Sequence, residues 1–375
     1  MIKNRSSYRR LIAALAVVGL VAAGCGGDDA SESDGSSAPT EASASETDGT
    51  STSETDDASA SEAETTVDAE ASEAGEAGPF RIAIVAPSAQ NDLAFSQSMV
   101  DAVNSLKDDR DIQVDITDST YVVADAAAAI RGYAEDGYDL VIAHGSQYGA
   151  PLQEIAPDFP DVAFAWGTLV DTFGMPNVSS YSVRSDEGAY VMGAIAAQIS
   201  KSGVIGLVGP IEVGDAKLYS DGFKAGAEAQ KPDIDVNINY IDSFSDVNLA
   251  AEAANAHVSA GADVLTGTAQ MVVGATGVIR EAGGAWFGNE VNQISLAPDN
   301  VVASQVYHWE VLLTDLVAEI EAGNLGGHIY EANLANGGIV IEYNDGYDLP
   351  DDVKAVADEI VAGIIDGSIT TGASE

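Results

Sequence analysis

Cysteine and histidine are scarce in this sequence. The 375 residues contain one Cys and four His. A single Cys excludes an intramolecular disulfide, and the scattered His residues give no spacing that resembles a Cys/His zinc site. The sequence therefore predicts no metal site, and nothing in it indicates a bound cofactor.

Basic residues are also few. Fifteen Lys and Arg stand against 60 Asp and Glu, which gives a formal net charge of −45. Proteins bind nucleic acids mainly through Lys and Arg contacts to phosphates, so we exclude nucleic acid as a partner. Strong acidity keeps a protein soluble where salt screens its self-repulsion. The composition therefore indicates a salt-adapted host.

No apolar run in the sequence is long enough to span a bilayer, which needs about 20 residues. The run 11–23 follows a basic stretch and ends just before Cys25, the only cysteine. This pattern is typical of an export signal, and the position of Cys25 resembles a bacterial lipobox. We expect residues 1–25 to be a lipoprotein signal peptide and Cys25 to be lipidated; an ordinary secretory signal with an incidental Cys is the alternative.

Residues 26–79 contain very few large apolar side chains. Of these 54 residues, 51 are Ala, Ser, Thr, Gly, Asp or Glu. Such a segment cannot offset its ordering entropy by burying apolar surface. We expect a disordered acidic tether, with a glycosylated stalk as the alternative.

From residue 80 onward, short apolar runs alternate with amphipathic stretches of about ten or more residues. The alternation predicts βαβ units with parallel sheets, which is the α/β class. Residues 80–375 exceed one core of ordinary size, so we expect two similar lobes. The predicted strands are 81–86, 113–118, 140–144, 162–166, 204–208, 236–240, 264–267, 285–288, 301–305 and 338–343. The predicted helices are 93–107, 122–136, 187–201, 218–230, 247–260, 272–282 and 309–322.

Ligands of open α/β sheets bind beyond the carboxyl ends of the strands. Amides, hydroxyls and carboxylates dominate the segments that follow the predicted strands, and Phe95 and Tyr219 lie close behind, at helix starts. This mixture suits a small polyhydroxylated or heteroaromatic molecule. The sequence contains no phosphate-binding loop, nucleophile elbow, dinucleotide fingerprint or zinc-protease motif, so binding is favoured over catalysis and no catalytic residue is predicted.

Several stretches carry a resemblance to a known family. They are NDLAFSQ at 91–97, GYDLVIAHG at 137–145, EGAYVMG at 187–193, GLVG at 206–209, DGFKAG at 221–226, YIDSF at 240–244 and LAPDNV at 296–301. In order and spacing they resemble the basic membrane protein (BMP) family of ABC-transporter substrate-binding lipoproteins, which includes the PnrA and Med proteins. The resemblance covers residues 80–345.

This resemblance implies a type I periplasmic-binding-protein fold, with two doubly wound parallel-sheet lobes, a hinge and three chain crossings. We expect an N-terminal lobe of residues 80–184 and 293–332 and a C-terminal lobe of residues 185–292 and 333–375. The implied function is that of a lipid-anchored protein on the extracytoplasmic face of the membrane. It would bind a small molecule, such as a nucleoside or nucleoside-like compound, and deliver it to an ABC permease and its ATPase.

Candidate ligand-binding residues come from the strand-end segments and from the resemblance. By position, Phe95 and Tyr219 resemble the rings that sandwich a nucleobase. Asn91, Asp92 and Gln97 lie where base-facing polar groups are expected. The full predicted set is Asn91, Asp92, Phe95, Gln97, Gly145, Ser146, Tyr219, Gln270, Glu290 and Tyr307.

Two of these positions depart from the family pattern. Glu290 stands where the nucleoside receptors have an Asp for the ribose hydroxyls, and Tyr307 stands where they have a Lys. A purine nucleoside therefore does not follow from the family alone. The alternatives are a ligand-sensing lipoprotein that signals to a partner without transport, and a nucleoside hydrolase that uses Asp92 or Glu290.

The charge gives a first testable prediction. We expect the melting temperature of the purified protein to rise with molar KCl or NaCl, because salt screens repulsion among the acidic groups. Thermal unfolding monitored by circular dichroism at increasing salt measures this effect. A melting temperature that does not change with salt would contradict the salt-adaptation interpretation.

Overall fold

The computed structural model describes residues 78–373. The predicted signal peptide, Cys25 and almost all of the predicted tether lie outside the described residues. Within residues 78–373, no helix is both long and apolar enough to cross a membrane.

The first sheet has six parallel strands. They are β1 (Phe80–Val85), β2 (Ile112–Thr117), β3 (Leu140–His144), β4 (Ala163–Gly167), β5 (Val178–Val183) and β11 (Ile329–Ala332). Their order across the sheet is β11-β5-β4-β3-β1-β2. The central strands β3, β4 and β5 are buried along their whole length, as expected for a parallel sheet that is covered on both faces.

The second sheet repeats this plan. Its strands are β6 (Val204–Gly209), β7 (Asp235–Tyr240), β8 (Val264–Gly267), β9 (Ala285–Glu290), β10 (Val301–Tyr307) and β12 (Ile339–Tyr343). Their order is β12-β10-β9-β8-β6-β7, and the pair β10–β12 is antiparallel. In both sheets the second strand along the chain lies at one edge and the first lies next to it, so two similar lobes are built from the same βαβ arrangement.

Nine α-helices of the described residues accompany these strands. They are α1 (Phe95–Ser105), α2 (Val123–Glu135), α3 (Gly149–Ile155), α4 (Ser185–Ile199), α5 (Gly214–Gln230), α6 (Val247–Ser259), α7 (Val272–Ala282), α8 (Glu310–Glu321) and α9 (Asp351–Ile365). The chain passes between the sheets three times: after β5, after β10 and after β11. The predicted α/β class and the two-lobed, type I periplasmic-binding-protein fold are confirmed.

The strand β10 corrects one predicted boundary. Residues 293–332 were expected to lie wholly in the N-terminal lobe. Instead β10 pairs with β9 and β12 in the second sheet, so the chain leaves that lobe only after Tyr307. The short connection from β9 to β10 carries no helix long enough to reach the other sheet.

Four elements were not predicted. The strand β5 (VSSYSV) is rich in serine and the edge strand β11 has only four residues, so neither forms a strong apolar run. The helices α3 and α9 were also missed. Of these, α3 connects the parallel strands β3 and β4, and α9 follows the last strand of the second sheet.

Helices α4 and α5 pack closely because glycines lie at their contact. A Cβ atom at Gly193 would lie 1.9 Å from the carbonyl oxygen of Phe223, and a Cβ atom at Gly226 would lie 1.9 Å from that of Tyr190. Any larger side chain at either position would force the helix backbones apart.

This contact predicts the effect of two substitutions. We expect Gly193→Ala and Gly226→Ala each to lower the free energy of unfolding by about 1–3 kcal/mol, the usual cost of overpacking. Gly277→Ala in α7 is the control, because no heavy atom lies within 4 Å of its added Cβ. Urea unfolding measures all three variants. Equal stability of the three would show that the α4–α5 contact is not tightly packed.

Candidate functional site

A cleft of about 480 Å³ lies where the carboxyl ends of the strands of the two sheets face each other. This volume lies within the range of about 300–1,000 Å³ for small-molecule pockets. From the first lobe it is lined by Pro87, Phe95, Tyr121, Val123, Gly145, Ser146, Gln147 and Thr168. From the second lobe it is lined by Ile211, Asp215, Ala216, Phe244, Thr268, Ala269, Gln270 and Glu290.

The Phe95 ring is held in place by a buried histidine. Phe95 begins α1 and stacks on the His144 ring with centroids 3.8 Å apart and planes 11° apart. His144 Nδ1 lies 2.7 Å from the Tyr181 hydroxyl, and Nε2 lies 3.0 Å from the Phe95 carbonyl oxygen. Burial lowers the pKa of His144 to about 3, so the imidazole is neutral. One face of Phe95 is therefore covered, which leaves the other for the cleft.

Two further aromatic side chains line the cleft from opposite lobes. Tyr121 follows β2, and Phe244 follows β7. Their ring centroids lie 6.4 Å apart. Sequence reasoning missed both, although Phe244 belongs to the YIDSF stretch at 240–244 that supported the family resemblance.

Glu290 ends β9 and lies at the floor of the cleft. Its side chain is buried, and its Oε1 accepts hydrogen bonds from Thr268 Oγ1 at 3.1 Å and from the Ala269 amide at 3.3 Å. Its Oε2 is buried and has no hydrogen-bond partner among the described residues. Burial, together with the negative charges of Asp92 and Asp215, raises the pKa of Glu290 well above its usual range.

Two other carboxylates stand at helix starts beside the cleft. Asp92 accepts hydrogen bonds from three backbone amides at the start of α1 and from the Ser88 hydroxyl. Asp215 lies in the first turn of α5, where burial raises its pKa and two backbone amides oppose that shift. The N-terminus of α5 favours the ionised form of Asp215, against the effect of burial.

A hydrogen-bonded chain connects Glu290 to the hinge. Thr268 Oγ1 accepts from Asn289 Nδ2 at 2.8 Å, and Asn289 Oδ1 accepts from Gln305 Nε2 at 2.9 Å. Gln305 Nε2 also lies 3.2 Å from the carbonyl oxygen of Ser185, where the chain first crosses between the lobes. The floor of the cleft is therefore tied to a crossing segment.

The lobes also contact each other directly. Gln293 Nε2 donates to the Leu93 carbonyl oxygen at 3.1 Å, which joins the connection after β9 to the loop before α1. At the first crossing, Arg184 forms a bidentate ion pair with buried Asp186, with donor–acceptor distances of 3.0 and 2.9 Å. The Gln293–Leu93 hydrogen bond joins the two lobes, and the Arg184–Asp186 pair stabilises the first crossing segment.

Five of the ten predicted ligand-binding residues line the cleft. They are Phe95, Gly145, Ser146, Gln270 and Glu290. Among the unpredicted lining residues, Asp215 and Thr268 are polar groups from strand-end segments of the second lobe, while Gln147 and Thr168 come from the first. The sequence could have indicated all four as lining residues, because each lies in a segment that follows a strand.

The structure places the other five predicted residues away from the lining. Asn91 is exposed, and Asp92 is engaged at the start of α1, as described above. Gln97 accepts from the Leu93 amide and donates to Asp101 on the surface of α1.

The two predicted tyrosines lie behind the cleft. Tyr219 is fully buried, hydrogen-bonds to Thr266 and packs near Phe223, so it is not a second ring opposite Phe95. Tyr307 is buried against Trp309 with ring centroids 5.4 Å apart. The position of each tyrosine along the chain did not reveal that its ring points into the core.

No metal site accompanies the cleft in the part of the chain that the structure describes. Within residues 78–373, no group of three or more His, Cys, Asp or Glu side chains is arranged to hold an ion.

The raised pKa of Glu290 gives a prediction about stability. An acid whose pKa is higher in the folded than in the unfolded state costs stability once pH exceeds its unfolded value of about 4.3. We expect Glu290→Gln to raise the melting temperature at pH 7 to 8 and to have little effect near pH 4, because Gln removes the buried charge at similar volume. Thermal unfolding across this pH range measures it; a stabilisation that is independent of pH would contradict the assignment.

Comparison with known proteins places this architecture in a family. The family described as ABC transporter substrate-binding protein PnrA-like matches residues 80–369. A purine-binding protein of Brucella abortus is 30% identical over 246 residues, which cover 66% of this chain and 69% of that protein. The nucleoside-binding protein BmpA of Lactococcus lactis is 25% identical over 307 residues, which cover 75% of this chain and 85% of that protein.

A solved structure has the same fold. The ABC transporter solute-binding protein from Conexibacter woesei superposes with a TM-score of 0.66 at 24% identity, over 77% of this chain and 97% of that one. The family match and the relatives confirm the resemblance seen in the sequence. This chain belongs to the PnrA-like family of ABC transporter substrate-binding proteins.

Proposed function

We propose that this protein is the lipid-anchored receptor of an ABC importer and that it binds a nucleoside-like solute in its cleft and delivers it to the permease. The observation that carries this proposal is a cleft lined by both lobes, in which the Phe95 ring from one lobe and the Glu290 carboxyl from the other are both present. The purine- and nucleoside-binding relatives support the same ligand class.

Each part of such a ligand matches a group in the cleft. A flat base stacks on the free face of Phe95, which His144 supports from behind. Sugar hydroxyls and base nitrogens find hydrogen-bonding partners in Ser146, Gln270 and Glu290. No single lobe provides both the ring and the carboxyl, so the ligand is held only when both lobes contact it.

Ligand binding then stabilises the closed arrangement of the lobes. A ligand that contacts both lobes shifts the open–closed equilibrium by its difference in affinity for the two forms. The Gln293–Leu93 hydrogen bond between the lobes belongs to the closed form. The permease would recognise the closed pair of lobe surfaces.

The proposal includes no chemical step on the ligand. The PnrA-like family consists of substrate-binding proteins, which are not an enzyme class. Of the two carboxylates considered for hydrolysis, Asp92 is fully engaged with backbone amides and with Ser88. A nucleoside-cleaving mechanism would therefore have to rely on Glu290 alone.

The membrane anchor is the second part of the proposal. Lipidation of Cys25 would place the protein on the extracytoplasmic face, since the family binds solutes there. A flexible tether of residues 26–79 would span roughly 40 Å, from about 5–6 Å times the square root of its length. This reach keeps the lobes near the permease at high effective concentration.

Calorimetry tests ligand binding directly. We expect at least one purine or pyrimidine nucleoside to bind with micromolar affinity or better and to raise the melting temperature. Phe95→Ala should weaken that binding at least tenfold, because the stacking surface is lost. Phe173→Ala is the control: this ring is 46% exposed and lies outside the cleft lining.

The outcomes separate the possibilities. Binding without product formation supports a receptor, whereas conversion of nucleoside to free base would support the hydrolase alternative. No response to any nucleoside, together with a response to another solute, would contradict the proposed ligand class.

A further inference from the structure

Within residues 78–373, the cleft lining contains two carboxyl groups and no basic side chain. Among the described residues that line it, Asp215 and Glu290 carry carboxyl groups and none is Lys, Arg or His. Asp92 adds a third negative charge close enough to raise the pKa of Glu290. A ligand in this cleft therefore experiences the electrostatic potential of acidic groups, which no basic side chain of the lining offsets.

Three basic side chains, one next to a lining residue, one at the first crossing and one behind Phe95, are paired or neutral. Lys217 follows the lining residue Ala216 and forms an ion pair with Asp221 on the same helix. Arg184, at the first crossing, is paired with Asp186. His144, behind Phe95, is neutral because burial lowers its pKa to about 3. None of these groups provides a free positive charge to the cleft.

One carboxyl oxygen of Glu290 lacks a hydrogen-bond partner among the described residues. Glu290 is 3% exposed, and its buried Oε2 has no hydrogen-bond partner in residues 78–373. A buried carboxyl oxygen without a partner is costly, and an ionised one requires an opposite charge or several hydrogen-bond donors. The described residues provide neither at Oε2, so a bound ligand with a positive charge or a donor group would satisfy it.

The aromatic lining fits the same ligand chemistry. Phe95, Tyr121 and Phe244 all line the cleft that contains the two carboxyl groups. Aromatic faces attract cations through their quadrupole, and this attraction is strongest where water is excluded. Aromatic faces beside carboxylates, with no basic group, form a site that favours a cation over a neutral molecule of the same shape.

We infer that the ligand is a nucleoside-like molecule whose heteroaromatic ring carries a positive charge. This inference rests on the proposed function and narrows its ligand class. The cationic ring stacks on Phe95, and its charge is balanced by Glu290 and Asp215. Anionic molecules, such as nucleotides and carboxylates, are excluded by the same field.

A protonated Glu290 would serve a different ligand. In that form the carboxyl would donate a hydrogen bond to an acceptor on a neutral nucleoside, and the ligand charge would not matter. The two arrangements differ in one measurable quantity, which is the ratio of affinities for a cationic and a neutral ligand of the same shape.

The test uses probes that differ in charge and little else. Nicotinamide riboside carries a cationic pyridinium ring, and its 1,4-dihydro form is neutral with nearly the same shape. The second pair, 1-methylnicotinamide and nicotinamide, lacks the ribose. Inosine represents neutral purine nucleosides. Isothermal titration calorimetry with the mature protein, at one fixed salt concentration, measures all five affinities.

We expect the cationic member of each pair to bind at least tenfold more tightly than the neutral one. Glu290→Gln should reduce that ratio to less than about threefold, and the circular dichroism spectrum and cooperative thermal unfolding of the variant show that it is folded. Asp215→Asn should reduce the ratio in the same direction. Glu228→Gln, on an exposed part of α5 about 20 Å along the helix from Asp215, should leave the ratio unchanged.

Each outcome has a distinct meaning. Binding of inosine and of both nicotinamide ribosides without charge preference would overturn this inference and support the proposed function. A charge preference shown only by the pair without ribose would support a cationic ligand and contradict a nucleoside-like one. A charge preference that survives in both Glu290→Gln and Asp215→Asn would overturn the assignment of these carboxyls. Failure of the four nicotinamide probes to bind would overturn this inference, and the full panel of purine and pyrimidine nucleosides then tests the proposed function separately.

Discussion

The stack of Phe95 on the buried, neutral ring of His144 is the contact on which the binding cleft depends. It fixes a flat apolar surface at the start of α1, where a loop would otherwise leave the side chain free to move. Tyr181 and Trp309 pack behind His144, so the position of Phe95 is set by the core of the first lobe. A ligand that stacks on this ring therefore does not have to order it, and preorganisation of this kind lowers the cost of binding.

The second lobe contributes the polar floor of the cleft, which complements this apolar surface. Glu290 is joined through Thr268, Asn289 and Gln305 to the carbonyl of Ser185 at the first crossing. Contiguous hydrogen bonds thus connect the Glu290 carboxyl, at the floor of the cleft, to the first segment that crosses between the lobes.

The fold followed from the sequence more completely than the site did. Strand and helix periodicity located most βαβ units, and the strand-end segments together with the family resemblance indicated Phe95 and Glu290, which both line the cleft. Tyr219 and Tyr307 were misplaced because a position along the chain does not show whether a ring points into the cleft or the core. Tyr121, Phe244 and Asp215 were missed because the segments that carry them come together only when the two lobes face each other. The strand β10 was assigned to the wrong lobe because strand pairing is a long-range property.

The central claim is that one ligand is held between the Phe95 ring of the first lobe and the Glu290 carboxyl of the second. The most direct measurement is a crystal structure of the protein with whichever probe binds most tightly. We expect a flat ring parallel to Phe95 and a polar or cationic atom within hydrogen-bonding distance of Glu290 Oε2. A ligand that contacts only one lobe, or that leaves Oε2 without a partner, would contradict it.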